Sequence, residues 1–179
     1  DTGDVLASDL SNVNMILHPP GAVLAAAWVE ATHGDFTFYV EGMTPGVVRV
    51  MAALDTERRA VAAAFGHDLP TVIEEMRAIG TVSAKAAADD YRAAISEGEA
   101  NRRIRAPDAL THRYYVEDFS YGLTPFLALA SIANVRTPVA AALSLLGDAA
   151  CGVTPDVGRT AERMGIAGLS RDELLRRVR

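Results

Sequence analysis

This chain of 179 residues has one cysteine, one tryptophan and only 6% aromatic residues. With Cys151 alone no intrachain disulfide can form, which suits a reducing compartment. Cys151 itself follows an apolar run and reads as a small buried hydrophobe. No His/Cys cluster has zinc-ligand spacing, so no metal site is expected. No Gly-x-Gly-x-x-Gly follows a strand and no Gly-Lys-Ser/Thr phosphate loop occurs, so the chain carries no visible cradle for a dinucleotide or a nucleoside triphosphate. Ser83 and Ser131 lack the small-residue elbow that a nucleophilic serine needs. A net charge of −6 argues against a general nucleic-acid surface. The arginines at 102, 103 and 105 and at 171, 176, 177 and 179 read as solvated faces. The longest apolar region, Leu123 to Leu146, is cut by Arg136-Thr-Pro138 into pieces too short to span a bilayer. The opening Asp1-Thr-Gly-Asp4 has no basic segment followed by an apolar one. A soluble, cytoplasmic protein without a membrane partner is expected.

Half of the residues are hydrophobic, alanine above all, so a helical domain with a real core is expected. Residues 1–9 are polar, without a helical period, and read as a linker; residues 10–179 read as one all-α domain of about eight helices. The pattern predicts helices over Leu10–Leu17 and Pro20–Glu30, the second buried, then a short β-like piece at Phe36–Val40. Thr44 as N-cap and Pro45 as first residue open a long helix to Phe65, stopped by Gly66. Further helices are expected over Thr71–Ile79 and Ser83–Ser96, with irregular chain at Asn101–Pro107. A polar and aromatic connection follows at His112–Ser120. Two alanine-rich helices, Leu123–Asn134 and Val139–Ala150, should be central to the bundle. Thr71-Val-Ile-Glu74 and Ser170-Arg-Asp-Glu173 both fit a capping box.

Two polar stretches stand out. In Asn12-Val-Asn-Met-Ile-Leu-His-Pro-Pro-Gly21, Asn14 and His18 are four apart and would share a helix face. Pro19 disfavours the helical region at His18, so the helix is expected to end near Leu17, with His18 as a break residue between two helices and a carboxylate docking site at the start of the second. The plainer reading is a kink bearing a hydrogen-bonded histidine. Thr111-His-Arg-Tyr-Tyr-Val-Glu-Asp118-Phe-Ser-Tyr-Gly-Leu-Thr-Pro125 packs two acids, an arginine and three tyrosines before an apolar helix. Buried charges there need partners; the plainer reading is a set of acids favoured by a helix dipole.

Taken together, Asn14-Met-Ile-Leu-His18-Pro19, Tyr39-Val-Glu-Gly-Met-Thr-Pro45, Leu54-Asp-Thr-Glu-Arg58, Arg113-Tyr-Tyr-Val-Glu-Asp118 and Tyr121-Gly-Leu-Thr-Pro125 resemble the helical C-terminal domain of the opine (octopine and nopaline) dehydrogenases, over roughly residues 5–150. The resemblance implies a fold like the C-terminal domain of 6-phosphogluconate dehydrogenase-type enzymes. It also implies a reaction in which an amino acid condenses with a 2-keto acid and NAD or NADP, in reduced form, reduces the imine. His18 then matches the family's catalytic histidine, Asp118 the acid that pairs with it, and Arg113 an arginine that holds a substrate carboxylate. Phe119-Ser120 stands where the family has a small aliphatic residue and a proline. The family's N-terminal Rossmann domain is absent from this chain, and residues 1–9 resemble the connection out of it. The chain is therefore expected to be a fragment without turnover of its own.

Histidine suits proton exchange near neutral pH, and a carboxylate on its other ring nitrogen would fix the tautomer. Arginine grips a carboxylate through two parallel bonds. Asn14 and Tyr121 are further substrate-binding candidates; Tyr114, Tyr115, Tyr39 and Met43 are outside ones. His33, His67 and His112 read as ordinary loop histidines. Two alternatives remain open: a helical module that mediates homodimerisation, and a related two-domain reductase acting on a hydroxy acid or a ketopantoate-like compound.

Overall fold

The computed structural model describes residues 4–82, 85, 87, 90–152 and 158–178. Among them it is all-α: α1 (Val5–Leu10), α2 (Val13–Leu24), α3 (Ala26–Thr32), α4 (Pro45–Ala64), α5 (Val72–Ala78), α6 (Tyr91–Ser96), α7 (Arg113–Asp118), a π-helical turn (Phe119–Leu123), α8 (Thr124–Ala133), α9 (Pro138–Cys151) and α10 (Arg171–Val178). None of these helices is long and apolar enough to cross a membrane.

Local chemistry sets most of the starts. Asp4 caps α1 by accepting from Leu6 N and Ala7 N, so the segment expected as linker is helical from Val5 and buries Leu6, Ala7 and Leu10. Thr44 caps α4, with Pro45 first in the helix. Both capping boxes form: Glu74 accepts from Thr71, and Glu173 from Ser170. Of the expected helix Ser83–Ser96 only Tyr91–Ser96 is helical, as α6 with Asp90 as its cap; Lys85 and Ala87 are not helical, and residues 83, 84, 86, 88 and 89 lie outside the described residues.

The largest departure is α2. The expected break at His18 does not occur: the helix runs from Val13 through Pro19 and Pro20 to Leu24, so no second helix start lies there to bind a carboxylate. Each proline removes one donor, which leaves the Met15 and Ile16 carbonyls without their usual partners, and interior proline costs about 3 kcal/mol. Burial on every side offsets this. Met15 through Ala22 are all buried, and α2 packs against α4, α5, α7, α9 and the π turn. It is the hub of the domain. Of the alanine-rich helices, α8 buries Pro125, Phe126, Leu129 and Ala130, and α9 packs on α2 and α4, burying Ala140, Leu143 and Gly147 while leaving Leu145 70% and Leu146 54% exposed on its outer face. The chain after α2 is not buried throughout, since α3 buries only Val29.

A second scaffold centres on α4. Arg58 is fully buried. Its Nε donates to Asp55 Oδ1 at 2.8 Å, Nη1 to Leu10 O at 2.9 Å and Glu75 Oε1 at 3.0 Å, and Nη2 to Pro70 O at 2.7 Å. Asp55 Oδ2 in turn accepts from Val72 N and the Tyr91 hydroxyl, each at 3.0 Å. Glu57 reaches across to α9, where it accepts from Val139 N at 2.8 Å and Ala140 N at 2.9 Å. Thr137 makes no side-chain cap, so Glu57 satisfies the orphan donors at that helix start. The Leu54-Asp-Thr-Glu-Arg58 motif is thus a structural cross-link among α1, α4, α5, α6 and α9.

Candidate active site

His18 and Asp118, one hundred residues apart, meet in the core. His18 Nδ1 lies 2.7 Å from Asp118 Oδ2, and both side chains are buried. The other ring nitrogen, Nε2, is 2.7 Å from the Tyr39 hydroxyl. Tyr114 stacks on the imidazole, with ring centroids 3.7 Å apart and planes at 20°, and Phe38 meets its edge at 6.1 Å.

Three elements hold this arrangement. The first is α2, which carries His18. Gly21, one turn on, leaves room for Phe38: a Cβ there would lie 2.6 Å from the Phe38 ring. The second is the loop from Phe36 to Met43, fixed by an antiparallel bridge between Thr37 and Arg105, by Phe38 N donating to Ile104 O and by Ala106 N donating to Phe36 O. Trp28 stacks on Phe36 at 3.9 Å, and Asp35 pairs with Arg105. The β-like segment expected at Phe36–Val40 is therefore one isolated bridge. The third is α7, which replaces the expected polar connection. Its Tyr115 hydroxyl donates to Ala22 O at 2.9 Å, docking α7 on α2 so that Asp118, one turn later, faces His18. The π turn begins at the next residue, and the absence of a side chain at Gly147 admits the Phe119 ring against α9. Single π turns are frequent at functional sites.

The electrostatics assign the protons. Burial above all, then the Tyr114 hydroxyl and the Asp118 carboxylate beside it, hold the Tyr39 phenol far above its ordinary range, so it stays protonated. With a neutral ring, Nδ1–H donates to Asp118 and the Tyr39 O–H donates to Nε2; an imidazolium donates to both. His112, set aside as a loop residue, in fact caps α7 by accepting from Tyr114 N and meets the Tyr114 ring edge-on at 4.7 Å. Burial above all, with the nearby Arg113 guanidinium, outweighs Asp108 and Asp118 and keeps His112 toward the neutral form.

A family model for the NAD/NADP octopine/nopaline dehydrogenase alpha-helical domain matches residues 2–151. The chain belongs to this family. An opine dehydrogenase of Arthrobacter sp. is 36% identical over 168 residues, which is 93% of this chain and 45% of that protein. A vitopine synthase of Allorhizobium ampelinum is 25% identical over 92% of this chain and 45% of its own length, and a D-nopaline dehydrogenase of Agrobacterium tumefaciens is 28% identical over 79% and 33%. The chain spans less than half the length of these relatives.

Within this octopine/nopaline dehydrogenase helical domain, the other candidates divide. Arg113 opens α7 with an exposed guanidinium 3.1 Å from Glu117, one turn along the same helix. Asn14 lies half-buried one turn before His18 on α2. Tyr121 is 54% exposed and lines a separate cavity of about 560 Å³, with Leu6, Asp9, Leu129, Arg159 and Leu174. Tyr39 and Tyr114 surround the histidine more closely than Asn14 or Tyr121 does. The signal for them lay in the motifs around them, since nothing in a tyrosine's own identity separates a packing role from a polar one.

Proposed function

We propose that this chain is the helical, substrate-side half of an NAD(P)-dependent opine dehydrogenase, which condenses an amino acid with a 2-keto acid and reduces the resulting imine. The observation that carries this reading is the buried His18–Asp118 pair, 2.7 Å apart, in a chain of this family. When the amine adds to the keto carbon, the oxygen must gain protons and depart as water. An imidazolium held by a carboxylate can supply them, and an imidazole can take one from the attacking nitrogen. Arg113 binds a substrate carboxylate, exchanging its exposed contact with Glu117 for a bidentate one. Asn14 orients the ring or the substrate from one turn away. Tyr121 lines a separate cavity of the domain.

The described residues form no strand and no glycine-rich strand-to-helix turn of the kind that holds a dinucleotide pyrophosphate. NADH or NADPH, which supplies the hydride, belongs to a Rossmann domain preceding residue 1 in the longer protein, with the first residues as the connection. The chain alone is then expected to show no turnover with NADH or NADPH, a 2-keto acid and an amino acid, while the full-length protein oxidises the cofactor in the same assay, followed by its absorbance. Turnover by the chain alone overturns the two-part reading. Oxidation by the full-length protein without the amine favours instead the reductase of a hydroxy acid or a ketopantoate-like compound.

A helical assembly role is compatible with this chemistry. The exposed Leu145 and Leu146 on α9 favour a homodimer joined through that face. Leu145→Glu is expected to convert a dimer to a monomer in a mass measurement in solution; a monomer before the substitution removes the dimer from the account.

A further inference from the structure

The imidazole of His18 has no free nitrogen. Nδ1 is 2.7 Å from Asp118 and Nε2 is 2.7 Å from the Tyr39 hydroxyl. One ring face is covered by Tyr114 and the edge is met by Phe38. A proton leaving Nε2 along its existing hydrogen bond arrives first at Tyr39. We propose that the Tyr39 hydroxyl is a catalytic proton relay, which touches the substrate oxygen and passes to it the proton that His18 releases. This deepens the reading of His18 as proton donor and rests on it.

A hydroxyl has one proton to give and lone pairs that accept. In the step, the Nε2–H bond of the imidazolium breaks as an O–H bond forms on Tyr39. The original Tyr39 O–H bond breaks as a new one forms on the hydroxyl of the amine adduct. The carbon–oxygen bond of the adduct then breaks, water leaves, and the nitrogen lone pair closes the carbon–nitrogen double bond. The imidazolium becomes imidazole, Tyr39 ends as it began, and nothing is oxidised. The buried phenol resists ionisation, which requires both protons to move together without a free phenolate. The loop is built to hold this oxygen still. Its backbone is bonded to residues 104 and 106, Thr37 N and Oγ1 both donate to Glu41 Oε2, and Glu41 N and Gly42 N both donate to Thr37 O.

The test is Tyr39→Phe, which removes the oxygen and keeps the ring. It is read in the full-length enzyme by steady-state kinetics, and in this chain by the proton resonance of His18 Nδ1–H. The relay predicts a kcat lower by about 100-fold or more, the scale of one general acid–base contribution, with KM within about threefold. It also predicts that the Nδ1–H resonance is retained, because Asp118 still holds the ring. A kcat within about threefold of the parent overturns the relay. So does a lower kcat accompanied by loss of that resonance, which makes Tyr39 a positioning residue, or by a comparable rise in KM, which makes it a binding one. His18→Asn separates the two levels: if that variant is inactive while Tyr39→Phe is not, only the relay falls, and if it is active the reading of His18 falls with it.

Discussion

Arg58→Ala is expected to lower the stability of this domain by about 3–5 kcal/mol, the cost of breaking a buried charge pair from one side. In a domain of this size that is a fall in Tm of roughly 6–20 °C. The number follows from what is left behind. Without the guanidinium, Asp55 Oδ1 stays buried without its cation and the buried Leu10 carbonyl loses its Arg58 donor, whereas the carbonyl of exposed Pro70 can turn to water. Asp55 keeps Val72 N and the Tyr91 hydroxyl, so its charge is not wholly abandoned, which holds the estimate to the range for one broken pair. Arg58→Lys should recover little, because one ammonium cannot reproduce a planar fork aimed at α1, α5 and the 70 carbonyl together. Denaturant or thermal unfolding followed by circular dichroism measures both. A loss below about 1 kcal/mol, the scale of an exposed pair, shows that Arg58 is not the cross-link among α1, α4 and α5.

The same residue shows where a sequence stops being legible. The helix over Pro45–Ala64, its Thr44 cap and both capping boxes depend on neighbours within four residues, and they form as the pattern predicts. Arg58 depends on carbonyls at positions 10 and 70, and beside Asp55 and Glu57 it looks like one more charge on a solvated helix face. Pro19 and Pro20 mislead for the opposite reason. Their local cost is real, but α2 is buried on all sides and tertiary packing overrides it. The polar stretch 112–120 becomes helix because His112 supplies a cap and Tyr115 a bond to α2, neither of which a count of charges reveals. Composition also placed the alanine-rich helices at the centre; α8 and α9 do pack there, but alanine permits close packing without demanding it on every face, and α9 presents two leucines outward. The pairing of His18 with Asp118 was legible only through the order of short motifs, since spacing of one hundred residues carries no geometric information by itself.

Asp118→Asn tests that pairing with little disturbance of shape. The amide oxygen can still accept from His18 Nδ1–H, so the fold and the ring position should survive. The carboxylate charge is what disappears. On the function proposed above, kcat of the longer enzyme is expected to fall by about 10²–10⁴-fold, the range found when a catalytic histidine loses its carboxylate partner or a general acid–base contribution is removed. Two effects combine. A buried imidazolium no longer has a counter-charge 2.7 Å away, so the form that gives up a proton is disfavoured. The asparagine amide N–H₂ can also turn toward Nδ1 and select the tautomer with its proton on Nε2, which makes the Tyr39 hydroxyl an acceptor from the ring and turns its own proton toward Tyr114. Both act on the proton-transfer step, so KM should change far less than kcat. Unfolding of the isolated chain provides the control: a Tm close to that of the parent assigns the kinetic loss to chemistry. A variant with kcat within about threefold of the parent would mean that the buried pair is part of the core alone, and the site would have to be sought elsewhere on the chain.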